Sequence, residues 1–337
     1  MKSAATTAVL LLSTLPCVGQ TTLKEILSWL PPDTESVVGA NGLFPLPDLD
    51  ELGPGDLRKP ELPVAELEMR TRGLALGLFG FKNGGLQKDL KGKAVALAVE
   101  GSRHFRPPAA LGGMRYEGCE IVLFGPAITL DRDSFMRNAA SSATRFENVA
   151  GVRIAVFEEP QENDVWTTFV GFLRSNIVVV ATDAEYLRTV LARMKGPSGP
   201  RALPDTLVEW KYVNTRAPVW GLRHYQKSEA SLDPTSPFSG QADAGDAMAV
   251  GLAFSFEPSV RRTVSVSYLS ANSKARQILQ EYLGVADADT ASPREFQISL
   301  RQPASGVTEG SATLSLKEMF YRFLYGLMGM LGHAVYL

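Results

Sequence analysis

The stretch that sets the fold class is Thr167-Thr168-Phe169-Val170-Gly171-Phe172-Leu173-Arg174-Ser175-Asn176-Ile177-Val178-Val179-Val180-Ala181-Thr182. Two runs rich in Val, Phe, Thr and Ile flank a short polar break at Arg174-Ser175. β-Branched and aromatic side chains suit a pleated surface, and so short a break closes a hairpin. Antiparallel sheet follows. Downstream, Thr182-x-x-Glu185 reads as a capping box, with Leu187, Val190, Leu191 and Met194 at helical spacing behind it.

The same signals recur on both sides. Strands are expected at 36–41, 93–100, 118–125 and 152–158 before the hairpin, and at 218–225, 247–256, 262–269, 295–301 and 309–315 after it. Thr22-x-x-Glu25 opens a helix carrying Leu23, Ile26, Leu27 and Leu30. A second starts near Asp131 to Asp133 with Phe135, Met136 and Ala139. A weaker helical stretch runs over 205–213. Others start near Ser273 (Ala275, Ile278, Leu279) and at Ser315-x-x-Glu318 (Phe320, Phe323, Leu324).

Side by side, the two halves match in order. Each reads helix, strand, long loop, two strands, helix, strands, helix. The expectation is an α+β fold of two pseudo-repeated halves, each a mainly antiparallel sheet with helices on one face. Residues 20–195 form the first half, 196–204 the linker and 205–337 the second. Gly196-Pro197-Ser198-Gly199-Pro200 punctuates the joint. Loops over 45–63 and 226–246 occupy the same place in each half, and a third covers 284–294; long loops on a rigid scaffold are a common home for function.

The chain has 337 residues, enough for roughly two domains of ordinary size. Apolar residues make up 45%, which supports a packed core and excludes wholesale disorder. With 34 basic and 36 acidic residues the net charge is −2, so no nucleic-acid partner held by bulk charge is expected. Two cysteines exclude a disulfide scaffold, and three scattered histidines leave little for a metal site. No cofactor or metal is expected.

Residues 1–19 begin with Lys2, run uncharged from 4 to 19, and place Cys17 and Gly19 ahead of a cut before Gln20. That pattern predicts a signal peptide and an exported chain: periplasmic, envelope-bound or extracellular. The run is short for a membrane span. Cys119 then remains as the one thiol, on a strand where it reads as a small buried hydrophobe. Residues 323–337 hold no charge outside His333, and Gly326, Gly329 and Gly332 recur every three residues. A core helix is the expectation there, with peripheral membrane contact as the alternative.

Motifs with fixed spacing are absent. The stretch Gln87-Lys88-Asp89-Leu90-Lys91-Gly92-Lys93-Ala94 lacks the first glycine and the final Ser or Thr of a phosphate loop. No G-x-S-x-G, H-E-x-x-H or calcium loop occurs. The densest group of unusual residues is Trp210, Trp220, Arg223, His224 and Tyr225, followed by Asp233-Pro234-Thr235-Ser236-Pro237. On a strand, Trp220, Leu222 and His224 point one way and Arg223 and Tyr225 the other. Histidine carries protons near neutral pH and Arg suits carboxylate or phosphate, so Trp220, Arg223, His224, Tyr225 and Asp233 are the candidate binding residues. The alternative places Trp220 and His224 in the seam between halves, with the imidazole held by a loop carboxylate or carbonyl. His104, in Ser102-Arg103-His104-Phe105-Arg106, reads as a loop residue after a strand.

The W-x-L-R-H-Y segment at 220–225, the D-P-T-S-P segment at 233–237 and the Leu30-Pro31-Pro32-Asp33-Thr34 opening resemble segments of uncharacterised exported bacterial proteins. That resemblance implies a compartment rather than an activity. The functional expectation is a non-enzymatic exported binding or structural module, taking an unknown protein or small-molecule ligand. One alternative is an exported hydrolase or transferase using His224 with an acid such as Asp233. The other is an envelope component docked through the C-terminal apolar helix.

Overall fold

The computed structural model describes residues 22–41, 95–105, 115–125, 130–140, 143–161, 164–196, 198–217, 219–224, 249–257, 263–270, 297–304 and 307–313. The helices expected after Ser273 and Ser315, the loops at 45–63, 226–246 and 284–294, and Tyr225, Asp233 and His333 lie outside them.

Thr22 caps α1 (Leu23–Trp29), its side chain accepting from the Glu25 N–H at 3.2 Å, as the capping box requires. Next come β1 (Ser36–Ala40), β2 (Val95–Phe105), β3 (Arg115–Phe124), α2 (Arg132–Ala140), β4 (Arg145–Val149), β5 (Val152–Gln161), β6 (Asp164–Arg174), β7 (Ile177–Ala181) and α3 (Ala184–Lys195). A 3-10 helix (Val208–Tyr212) then leads into β8 (Val219–His224), β9 (Ala249–Glu257), β10 (Thr263–Ser270), β11 (Gln297–Ala304) and β12 (Val307–Thr313). The fold is α+β, and all twelve described strands join one sheet in the order β11-β12-β10-β9-β8-β1-β2-β3-β7-β6-β5-β4.

Every pairing is antiparallel. The residues before and after the linker therefore do not stack as two sheets. They meet edge to edge, Ser36 opposite Arg223 and Ala40 opposite Val219. His104 belongs to β2, opposite Tyr116, and not to a loop.

Asp183 caps α3, accepting from the Tyr186 N–H at 2.7 Å. Thr182 instead accepts from the Gly118 N–H, at 3.1 Å, and so extends the β3–β7 pairing by side chain. The 205–213 stretch makes only the 3-10 turn. Strand β4 escaped prediction because its turn is Ala150-Gly151, both at positive φ (49° and 81°). That is the primed geometry a two-residue hairpin favours, but alanine gives no sequence signal for it.

Helices cover both faces of the first-half strands. Ile26, Leu27 and Leu30 with Tyr186, Leu187, Val190 and Leu191 pack on Val37, Val99, Cys119, Ile121, Val179 and Ala181. By strand alternation, Phe172, Val178 and Val180 face the other way. There α2 sits, with the Phe135 ring 4.2 Å from that of Phe172. The expectation of helices on one face thus fails for α2. The reason is the unbroken apolar run of β7, buried at all five positions, which needs cover on both sides.

The seam between β1 and β8 relies on one small residue. Gly39 lies opposite Trp220, and a Cβ there would stand 2.1 Å from the indole Cζ2. Trp220 is fully buried, so the ring has nowhere to retreat. Gly39→Ala is expected to destabilise the chain by roughly 3 kcal/mol, the upper end for overpacking. A urea unfolding midpoint equal to wild type would show that the seam yields.

Candidate functional site

The site is built where the second half enters the sheet. In the last turn of α3, Arg193 is buried and donates to the carbonyls of Ser28 (2.9 Å), Pro200 (2.7 Å) and Ser198. One guanidinium thus ties α1, α3 and the linker together. Ala202 and Leu203 then enter the core, and the Ala202 N–H donates to the Leu27 carbonyl at 3.3 Å. Ser198, Pro200, Ala202 and Leu203 are thereby fastened to α1, α3 and the core around them.

From there the chain turns into the 3-10 helix. Trp210 donates its indole N–H to the Leu203 carbonyl at 3.0 Å, with the Arg201 guanidinium 5.3 Å above its ring. Its ring lies 6.2 Å from that of Trp220. This packing leaves Glu209, in the same turn, with no solvent exposure. Its Oε1 accepts from His224 Nδ1 at 2.6 Å. The His224 side chain keeps about a third of its surface exposed (32%). Glu209 Oε2 and Trp220 Nε1 are buried and find no hydrogen-bond partner. A buried polar atom without a partner costs about 1–3 kcal/mol.

Strand alternation separates the other candidates. Trp220 and Leu222 join the core beneath α1 and α3, and His224 lies on that face with Glu209. Arg223 is buried on the opposite face, its Nη2 4.0 Å from Glu35 Oε2. The His224 N–H donates to the Glu35 carbonyl at 2.9 Å. Arg223 and His224 are therefore adjacent in sequence but do not line one pocket. The acid brought to His224 among the described residues is Glu209. Sequence reading passed over it because one acid inside a weakly periodic helical stretch looks like a solvated position.

A second polar group, drawn from three segments, centres on Arg103. Arg103 bonds Asp33 and Glu117, each at 2.5 Å, with its guanidinium 5.5 Å from the Tyr186 ring. The buried Tyr186 hydroxyl meets Thr34 Oγ1 at 2.8 Å, and Ser36 and Ser102 share a hydroxyl contact of 2.8 Å. These contacts knit β1 to β2 and α3 where β1 begins.

Cys119 is buried in the core, and burial, then the Glu120 and Glu100 charges, push its thiol far above the ordinary range. Such a thiol is neither nucleophile nor metal ligand. Native protein at pH 8 should leave Cys119 unlabelled by iodoacetamide while urea-unfolded protein labels fully; mass spectrometry reads both, and fast native labelling would contradict this packing.

Among the described residues no group of three or more His, Cys, Asp or Glu side chains is arranged to hold a metal ion. No described helix is long and apolar enough to cross a membrane. Comparison with protein-family models, curated proteins and solved structures finds no match.

Proposed function

We propose that this is an exported binding or structural module made of two duplicated halves. The observation that carries the reading is the strand order outward from the β1–β8 seam. On one side it runs β1, β2, β3, β7, β6, and on the other β8, β9, β10, β12, β11. Each side is thus first, second, third, last and next-to-last strand of its half, with β5 and β4 added at the first half's outer edge. The register supports the same reading. Equating Ser36–Ala40 with 219–223 maps the seam pairing onto itself, Ser36↔Arg223 becoming Val219↔Ala40. Continued backward, that offset sets α1 on residues 206–212, which contain the 3-10 helix.

An antiparallel seam has a consequence for the matched loops. β1 ends and β2 begins at one end of the sheet; β8 ends and β9 begins at the other. The segments 41–94 and 225–248 therefore leave from opposite ends of one scaffold. Such a body suits the presentation of two separate surfaces to a protein or small-molecule partner better than one cleft lined by both loops. Export is supported by the uncharged run at 4–19, and the net charge of −2 disfavours nucleic acid.

A second reading, an exported hydrolase or transferase, is favoured by the Glu209–His224 contact. A buried carboxylate holding one ring nitrogen is the arrangement that orients a general base. Docking through the apolar 323–337 stretch remains a third proposal, tested by whether deletion of 319–337 leaves a soluble folded chain.

The deciding experiment is affinity capture from the native envelope fraction with wild type and His224→Ala side by side. The binding module predicts a mature N-terminus at Gln20 and the same partner on both baits. A product formed with wild type and lost with His224→Ala would replace this reading with the second.

A further inference from the structure

We infer that Glu209 and His224 form a proton-sensitive latch holding the second half's 3-10 helix to the sheet. One of its supports is the duplication proposed above. Under that register Glu209 stands where the first half has Ile26, and His224 where it has Asn41. Ile26 is fully buried in the core, and the Asn41 amide donates to the Thr215 and Ala217 carbonyls at 2.7 Å each. The first half thus has an apolar side chain and a neutral amide at these two places, the amide reaching across to the segment before β8. The second half has an acid and an imidazole at both matching places, and they touch.

Energetics give the pair its direction. Glu209 has no solvent exposure and its Oε2 finds no hydrogen-bond partner, so the contact of its Oε1 with His224 is made in a water-poor site, where the interaction is strong. The counter-charge within reach is a proton on His224, at 2.6 Å. Other charged or titratable groups on the segments packed here are Lys211 and Tyr212 on the 3-10 helix, Arg201 (paired with Asp205) over the Trp210 ring, Glu35 just before β1, and Arg223 on the opposite face of β8. The part of β9 beside the end of β8, Ala249 to Leu252, carries none. The packed state therefore holds the His224 proton more tightly than the unfolded chain does. Its stabilisation is complete below the free imidazole value of about 6.5 and is lost as pH rises through the higher midpoint of the packed state. The latch tightens in acid and slackens in base.

The test is an NMR titration of the His224 ring in the full chain, assigned with His224→Gln, beside Glu209→Gln. Wild type is expected to titrate at least one pH unit above Glu209→Gln, a tenfold difference in proton affinity. Its thermal midpoint should also fall across that range more than the variant's. Equal ring midpoints overturn the latch. A double variant, Glu209→Ile with His224→Asn, separates the two ideas. If it folds and loses the pH response, both are supported. If it does not fold while the ring shift is present, the latch stands and the duplicate register falls. If it folds and the ring midpoints are equal, the register stands and the latch falls.

Discussion

The pairing of β1 with β8 is the constraint on which the rest of this structure depends. Five residues of the first half lie hydrogen-bonded between β2 of their own half and β8 of the other. Without that contact, β1 and β8 would each be an unpaired edge strand, an invitation to aggregate. With it, the outer edges among the described strands are β4 and β11. The seam tolerates little: Trp220 lies over the one position of β1 with no side chain, and Val37 and Leu222 pack beside it.

The linker contributes to the same end. Arg193 gathers three carbonyls from α1 and the 198–200 turn, so the chain reaches the 3-10 helix already fastened. Burial pulls this guanidinium below its ordinary value, the cost of taking a charge out of water. The gain is position: Leu203, Trp210 and Glu209 arrive over β8 in one geometry. Glu209 then meets His224 because the helix and strand are held on the same face, not because they are near in sequence.

Much of the fold was legible. The β6–β7 hairpin, its turn falling at Ser175-Asn176 one residue beyond the expected Arg174-Ser175, the Thr22 cap and most strand positions follow from β-branched runs and capping chemistry, which act over a few residues. The Ala150-Gly151 turn was not, because its positive φ is imposed on an alanine by the pairing of β4 with β5. The second cover over β7 was signalled by Ile177-Val-Val-Val-Ala, an unbroken apolar run rather than an alternating one. At the site, the sequence picked out His224 by its rarity and placed it on the same strand face as Trp220. It could not pick out Glu209, since nothing local distinguishes a buried acid from a solvated one. The Arg103, Asp33 and Glu117 group was equally silent, its members drawn from three segments.

Composition and local pattern alone determined the α+β class, the antiparallel pairing and the burial of Cys119, because these depend on side-chain shape and hydropathy over short spans. Tertiary structure alone decided that the strands before and after residues 196–204 share one sheet, that helices cover both faces, and that Glu209 is the acid beside His224. Each of those depends on which strand edge finds which partner, a choice made by complementarity across long sequence separations that no short stretch encodes.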